Sequence, residues 1–131
     1  MEKQVQDGLI RSALKIRQQA YAPYSKFLVG AAVLSDDGTV FTGANVENAS
    51  YGLTICAERV AAAAAVAAGQ RKITAVAVAT AGGAAPCGAC RQFLAEFGGS
   101  MDVLLVDVDR PENVKQMSLA DLLPEQFPLD E

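Results

Sequence analysis

The chain contains no histidine and no tryptophan, and only three cysteines in 131 residues. Without histidine there is no Ser-His-Asp or Cys-His machinery and no imidazole to hold a metal. Acid–base work near neutral pH then falls to a carboxylate, a lysine or a metal-bound water. Three thiols cannot pair off completely as disulfides. Clustered positive charge is also missing: the Lys and Arg residues are scattered, and the net charge is −4. With no basic stripe to track phosphates, nucleic acid is a poor candidate as substrate or partner. No apolar run is long enough to span a bilayer, since the alanines at 61–65 continue only to Ala68 before Gly69 and Gln70. Met1-Glu2-Lys3-Gln4 lacks the basic-then-apolar layout of a signal peptide. These absences predict a cytoplasmic protein with reduced thiols and no membrane partner.

What is present starts with length and apolar content. Half of the residues are apolar, and 131 residues suffice for one core but not two, so a single domain over 1–131 is expected. All three cysteines lie in two segments, Thr54-Ile55-Cys56-Ala57-Glu58-Arg59 and Pro86-Cys87-Gly88-Ala89-Cys90. Three sulfurs without a fourth protein ligand match a zinc site with one coordination position open. Water at such a position has its pKa lowered to about 7. Glu58 stands two residues after Cys56, where a carboxylate can take that proton and pass it on. Cys56 and Cys87 each fall where a helix begins, and the positive end of a helix dipole favours a thiolate. Three thiolates outweigh the two positive charges of zinc. Arg59 and Arg91, next to the two segments, are the candidates to offset that excess by hydrogen bonding to sulfur. A Cys-x-x-Cys pair alone also fits a structural zinc knuckle, a redox pair or ordinary buried thiols. The knuckle needs a fourth ligand, and the redox pair leaves Cys56 and Glu58 unexplained.

Along the chain, Val5, Leu9, Ala13, Ile16 and Ala20 mark one face of a helix over 3–20, ended at Pro23. The apolar run 27–34 predicts a strand buried on both faces. Asp36-Asp37-Gly38 turns it back into an antiparallel strand over 39–44. After a polar loop, Cys56 opens an alanine-rich helix that stops at Gly69. A strand over 73–80, a helix over 87–97 and a strand over 103–108 follow. The link to a fifth strand over 113–117 is too short for a crossover, so that strand runs antiparallel to the fourth. Ser118 caps a short helix that Pro124 stops. The pattern predicts an α/β fold, a three-layer α/β/α sandwich on a mixed five-stranded sheet.

Cys-Ala-Glu followed by Pro-Cys-x-x-Cys resembles the zinc nucleoside deaminase pattern in its all-cysteine form. The likeness extends to Tyr24-Ser25-Lys26-Phe27-Leu28-Val29-Gly30-Ala31-Ala32 and to Gly43-Ala44-Asn45-Val46-Glu47-Asn48-Ala49-Ser50-Tyr51-Gly52. Over nearly the whole length the chain is similar to the short, homotetrameric cytidine deaminases. Lys26, the alanine-rich helix and the short acidic tail are its departures. The resemblance implies one zinc per chain, held by Cys56, Cys87 and Cys90. It implies hydrolysis of cytidine or deoxycytidine to uridine or deoxyuridine and ammonia, with Glu58 carrying protons. Asn45 and Glu47 would hold the sugar hydroxyls, Phe27 would pack on the pyrimidine, and the backbone at Ala57 would hold the base edge. Ala49, Tyr51 and Phe127 match positions that complete the site across subunits of a homotetramer.

Two other readings remain open at this stage. A non-catalytic zinc module would bind metal without turnover. A blasticidin S-type deaminase would share the metal segments, but Asn45-Val46-Glu47-Asn48 favours a nucleoside.

Overall fold

The computed structural model describes residues 1–127. Helix α1 (Lys3–Ile16) leads through a short 3-10 turn to the hairpin β1 (Gly30–Ser35) and β2 (Val40–Ala44). Then come α2 (Ala57–Ala67), β3 (Ile73–Thr80), α3 (Gly88–Gly98), β4 (Asp102–Asp107), β5 (Val114–Ser118) and α4 (Leu119–Leu122). The five strands form one sheet in the order β2-β1-β3-β4-β5. Only β3 and β4 are parallel, joined by the α3 crossover, and the other three pairings are antiparallel. The expected mixed sheet and its helical layers are therefore present.

Strand alternation divides the core in two. Val76 and Val78 of β3 face α2 and α3, packing with Ala61, Ala62, Ala65 and Leu94. Ala75, Ala77 and Ala79 point the other way, against Leu9, Ile10 and Ala13 of α1. Ser118 and Asp121 form a reciprocal capping box that starts α4. Among the described residues no helix is long and apolar enough to cross a membrane.

Several boundaries shift by a residue and two by more: the helix expected over 3–20 ends at Ile16 and tightens into a 3-10 turn over Arg17–Gln19, and the first strand starts late. The strand expected over 27–34 begins only at Gly30. Lys26 takes a positive φ of 62°, which breaks the extended run. The Phe27 carbonyl and the Val29 N–H are bonded to the side chain of Asn45 instead of a neighbouring strand. An apolar run can thus belong to a stapled loop, and here that loop borders the site described below.

The alanine-rich α2 lets the hairpin approach its backbone directly. A Cβ added at Gly43 would lie 2.5 Å from Ala61 N and 2.8 Å from Ala57 O. Backbone atoms cannot swing aside as a flexible side chain can, so Gly43→Ala must push α2 off the sheet. Overpacking of this kind destabilises by about 1–3 kcal/mol. Because Cys56 and Glu58 ride on the displaced end of α2, the variant is expected to lose metal affinity together with thermal stability. Calorimetry and a metal titration of the purified variant would check both. Unchanged metal affinity would show that the site tolerates movement of α2.

Candidate metal centre

Cys56 and Cys87 occupy the positions just before the first turns of α2 and α3, both with extended backbone. Neither side chain caps its own helix, so both sulfurs are free to turn toward each other. Cys90, in the first turn of α3, is fully buried. Cys56 Sγ lies 3.9 Å from Cys87 Sγ, and the three sulfurs all lie within 4.8 Å of one another. Thiolates sharing a tetrahedral zinc at about 2.3 Å stand about 3.8 Å apart, so the donor set fits that ion.

Charge around the sulfurs is arranged for anions. The Cys56 thiol is lowered to about 5, first by a hydrogen bond from Cys90, then by Arg59 and Cys87, against the opposing effect of burial. The same pairing and burial push the Cys90 thiol up. Arg59 Nη2 donates to Cys56 Sγ at 3.5 Å. Arg59 Nε is buried with no hydrogen-bond partner, an unused donor beside the sulfurs. Arg91, the other candidate from the sequence, points elsewhere. Its Nε donates to the Pro86 carbonyl at 2.7 Å and its Nη1 to the Leu122 carbonyl at 2.9 Å. It braces the loop before Cys87 against the end of α4.

Glu58 sits in the first turn of α2 and is only 4% exposed. Burial, with the nearby Cys56 adding, raises its carboxyl to about 7. A carboxyl poised there can accept and return a proton near neutral pH. Glu58, Cys56 and Cys87 line a cavity of ≈ 210 Å³ with Phe27, Asn45, Glu47 and Ala57. A larger groove of ≈ 760 Å³ runs along α1, but its walls carry neither a thiol nor a carboxylate. Size alone does not make it the reactive site.

Asn45 and Glu47 on the cavity wall are each held by the loop that precedes β1. Asn45 Oδ1 accepts from Val29 N–H at 2.9 Å, and its Nδ2 donates to the Phe27 carbonyl at 2.9 Å. Glu47 Oε1 accepts from the N–H groups of Tyr24 at 3.0 Å and Ser25 at 3.2 Å, and Oε2 accepts from the Ser25 hydroxyl. The Ser25 hydroxyl bond, opposed by burial and helped by the two N–H bonds, keeps the Glu47 carboxyl below its ordinary range. Ala49, Tyr51 and Phe127 do not line this cavity. Tyr51 is 85% exposed and Phe127 71%. Seven cavity residues escaped the sequence reading of the site, among them Ser25 and the buried Thr80. Thr80 ends a central strand, where crevices of α/β sheets form, and that position was the available signal. Ser25 had no local signal.

Three convergent thiols beside a buried carboxylate and a small cavity define a metal-dependent hydrolytic centre. Residues 3–106 match the family model of the cytidine and deoxycytidylate deaminase zinc-binding region. The chain is 48% identical over 124 residues to a cytidine deaminase of Sporosarcina psychrophila, covering 92% of this chain and 90% of that one. The crystal structure of cytidine deaminase from Burkholderia pseudomallei superposes with a TM-score of 0.87 at 48% identity, covering 97% of this chain and 100% of the other. That of the Mycobacterium tuberculosis enzyme gives 0.81 at 45% identity, covering 95% and 98%. The chain belongs to the zinc-dependent cytidine and deoxycytidylate deaminase family. It is a deaminase whose Cys56, Cys87 and Cys90 are positioned to bind one zinc ion.

Proposed function

We propose that this deaminase converts cytidine and deoxycytidine to uridine and deoxyuridine with release of ammonia, acting as one domain over 1–131. The observation that carries the reading is a buried Glu58 that shares one cavity with Cys56 and Cys87 of the three convergent sulfurs. Zinc held by the cysteines supplies a Lewis acid that makes a water nucleophilic near neutral pH. Glu58 takes the proton released by the attacking water and delivers it to the ring nitrogen beside the reacting carbon. It later helps to protonate the departing amine. Phe27 packs on the pyrimidine, and the backbone at Ala57 meets the base edge. Asn45 and Glu47 meet the sugar hydroxyls. Arg59 offsets the negative charge gathered on the sulfurs.

A homotetramer with shared sites is part of the same proposal. Supporting it, Tyr51, Leu53 and Ile55 leave three large apolar side chains exposed within one short segment, and Phe127 is exposed as well; exposed apolar patches mark interaction surfaces. Ala49 and Tyr51 would reach a neighbouring subunit's site, and Phe127 would close over a base. Unpaired thiols suit a reducing compartment, hence the cytoplasm.

Mixing the zinc-loaded protein with cytidine should bleach the substrate's ring absorbance while ammonia accumulates one for one. Ammonia without uridine, or neither, would sink the reading.

A further inference from the structure

The sugar-side wall contains a hydrogen-bond arrangement that the sequence motif does not explain. A carboxylate offers about four acceptor sites. Tyr24 N–H, Ser25 N–H and the Ser25 hydroxyl fill three of those on Glu47, which leaves one, on Oε2. The Ser25 hydroxyl has one proton, and it is committed to Glu47. One of its lone pairs takes the Phe27 N–H at 3.0 Å. The same oxygen therefore joins the acidic group on one loop to the aromatic residue on the other. Both residues, and Ser25 itself, line the cavity. Toward that cavity Ser25 and Glu47 can only accept. Asn45 keeps one N–H and one lone pair after its two bonds to Phe27 and Val29. The unclaimed capacity suits neutral hydroxyl groups, which donate, and opposes an acceptor-only anion.

We infer that Ser25 is a positioning residue for substrate selection, acting through Glu47 and Phe27. Its hydroxyl fixes the carboxylate as an acceptor for the sugar and anchors the backbone that carries Phe27 in the same step. Lys26 helps to hold the geometry, because its positive φ turns the chain sharply between Ser25 and Phe27. Without the hydroxyl, one Glu47 oxygen and the Phe27 N–H lose their shared partner. Glu47 is then held only through Oε1, and the backbone of Phe27 only through its carbonyl bond to Asn45, although neither residue has been altered. The inference rests on the reading that Glu47 meets the sugar.

The test compares cytidine with 2′,3′-dideoxycytidine, which lacks the secondary hydroxyls, in the zinc-loaded enzyme and four variants: Ser25→Ala, Ser25→Thr, Glu47→Gln and the Ser25→Ala/Glu47→Gln double variant. Losing one hydrogen bond to a charged group corresponds to about a 10-fold change in binding. Ser25→Ala should therefore raise KM for cytidine by about 10-fold and move kcat by less than about 3-fold, the pattern of lost uniform binding. KM for the dideoxynucleoside should rise less, by the part that passes through Phe27 alone, so discrimination between the two substrates falls. Ser25→Thr retains a hydroxyl and should retain discrimination. In the double variant Ser25→Ala should add nothing to Glu47→Gln, the non-additivity of residues acting as one unit. A purely structural role would lower thermal stability and depress turnover of both substrates alike. Additive losses, or Ser25→Thr no better than Ser25→Ala, would overturn the assignment of Ser25 alone. If Glu47→Gln itself discriminates as wild type does, the sugar-binding reading fails, and the role of Ser25 with it.

Discussion

Replacing Glu58 with glutamine is expected to lower kcat by about 10³–10⁴-fold, the upper part of the range for losing a general acid–base group. The large figure follows from geometry. Among the described residues Glu58 is the one carboxylate that is both buried and on the wall of the cavity beside the sulfurs, and the proposed reaction uses it for more than one proton transfer. Glutamine keeps the shape and the hydrogen-bonding capacity but cannot carry a proton between water and the ring. Metal content should stay at one per chain, because Glu58 stands outside the three-sulfur set. Folding should not suffer either, since the change removes a buried ionisable group that burial already disfavours in its charged form. Steady-state kinetics, zinc analysis and thermal unfolding of one preparation give all three answers. A variant that holds zinc and keeps more than about one-tenth of wild-type kcat would remove Glu58 from the mechanism.

The second large effect is expected at Cys90. Its side chain is fully buried in the first turn of α3, while Cys56 reaches the cluster from the start of α2. A metal gripping both therefore clamps two helix ends together. Removing only an outer partner of a metal ligand typically weakens metal binding by about 10–100-fold, so deleting a thiolate ligand should exceed that range. Cys90→Ala should purify nearly free of zinc and without measurable turnover. A ligand that binds only the folded state raises its stability. Chelation should accordingly lower the melting temperature of the wild type and leave that of Cys90→Ala unmoved. A variant that still carries one zinc per chain would show that Cys90 is not a ligand.

Much of this was legible in the sequence because the relevant signals are local. Periodicity, turn residues and Gly69 placed the helices and strands, and Cys56 and Cys87 fell at helix starts as expected. The spacing of three cysteines and Glu58 pointed to one site, and the fold brings the three sulfurs together. What stayed hidden depends on partners distant in sequence. The apolar run 27–34 did not reveal that Asn45 staples its first residues into a loop. Arg59 and Arg91 look equivalent beside their cysteines, yet only Arg59 reaches a sulfur, since the carbonyls of Pro86 and Leu122 claim Arg91. Ser25 gave no sign of its bond to Glu47, 22 residues away. The roles proposed for Ala49, Tyr51 and Phe127 would lie between subunits, where periodicity and spacing within one sequence carry no signal.

X-ray absorption at the zinc edge of the loaded protein tests the central claim most directly. The account predicts three sulfur neighbours at about 2.3 Å and one lighter neighbour at about 2.0 Å. Four sulfur neighbours, or fewer than three, would contradict it.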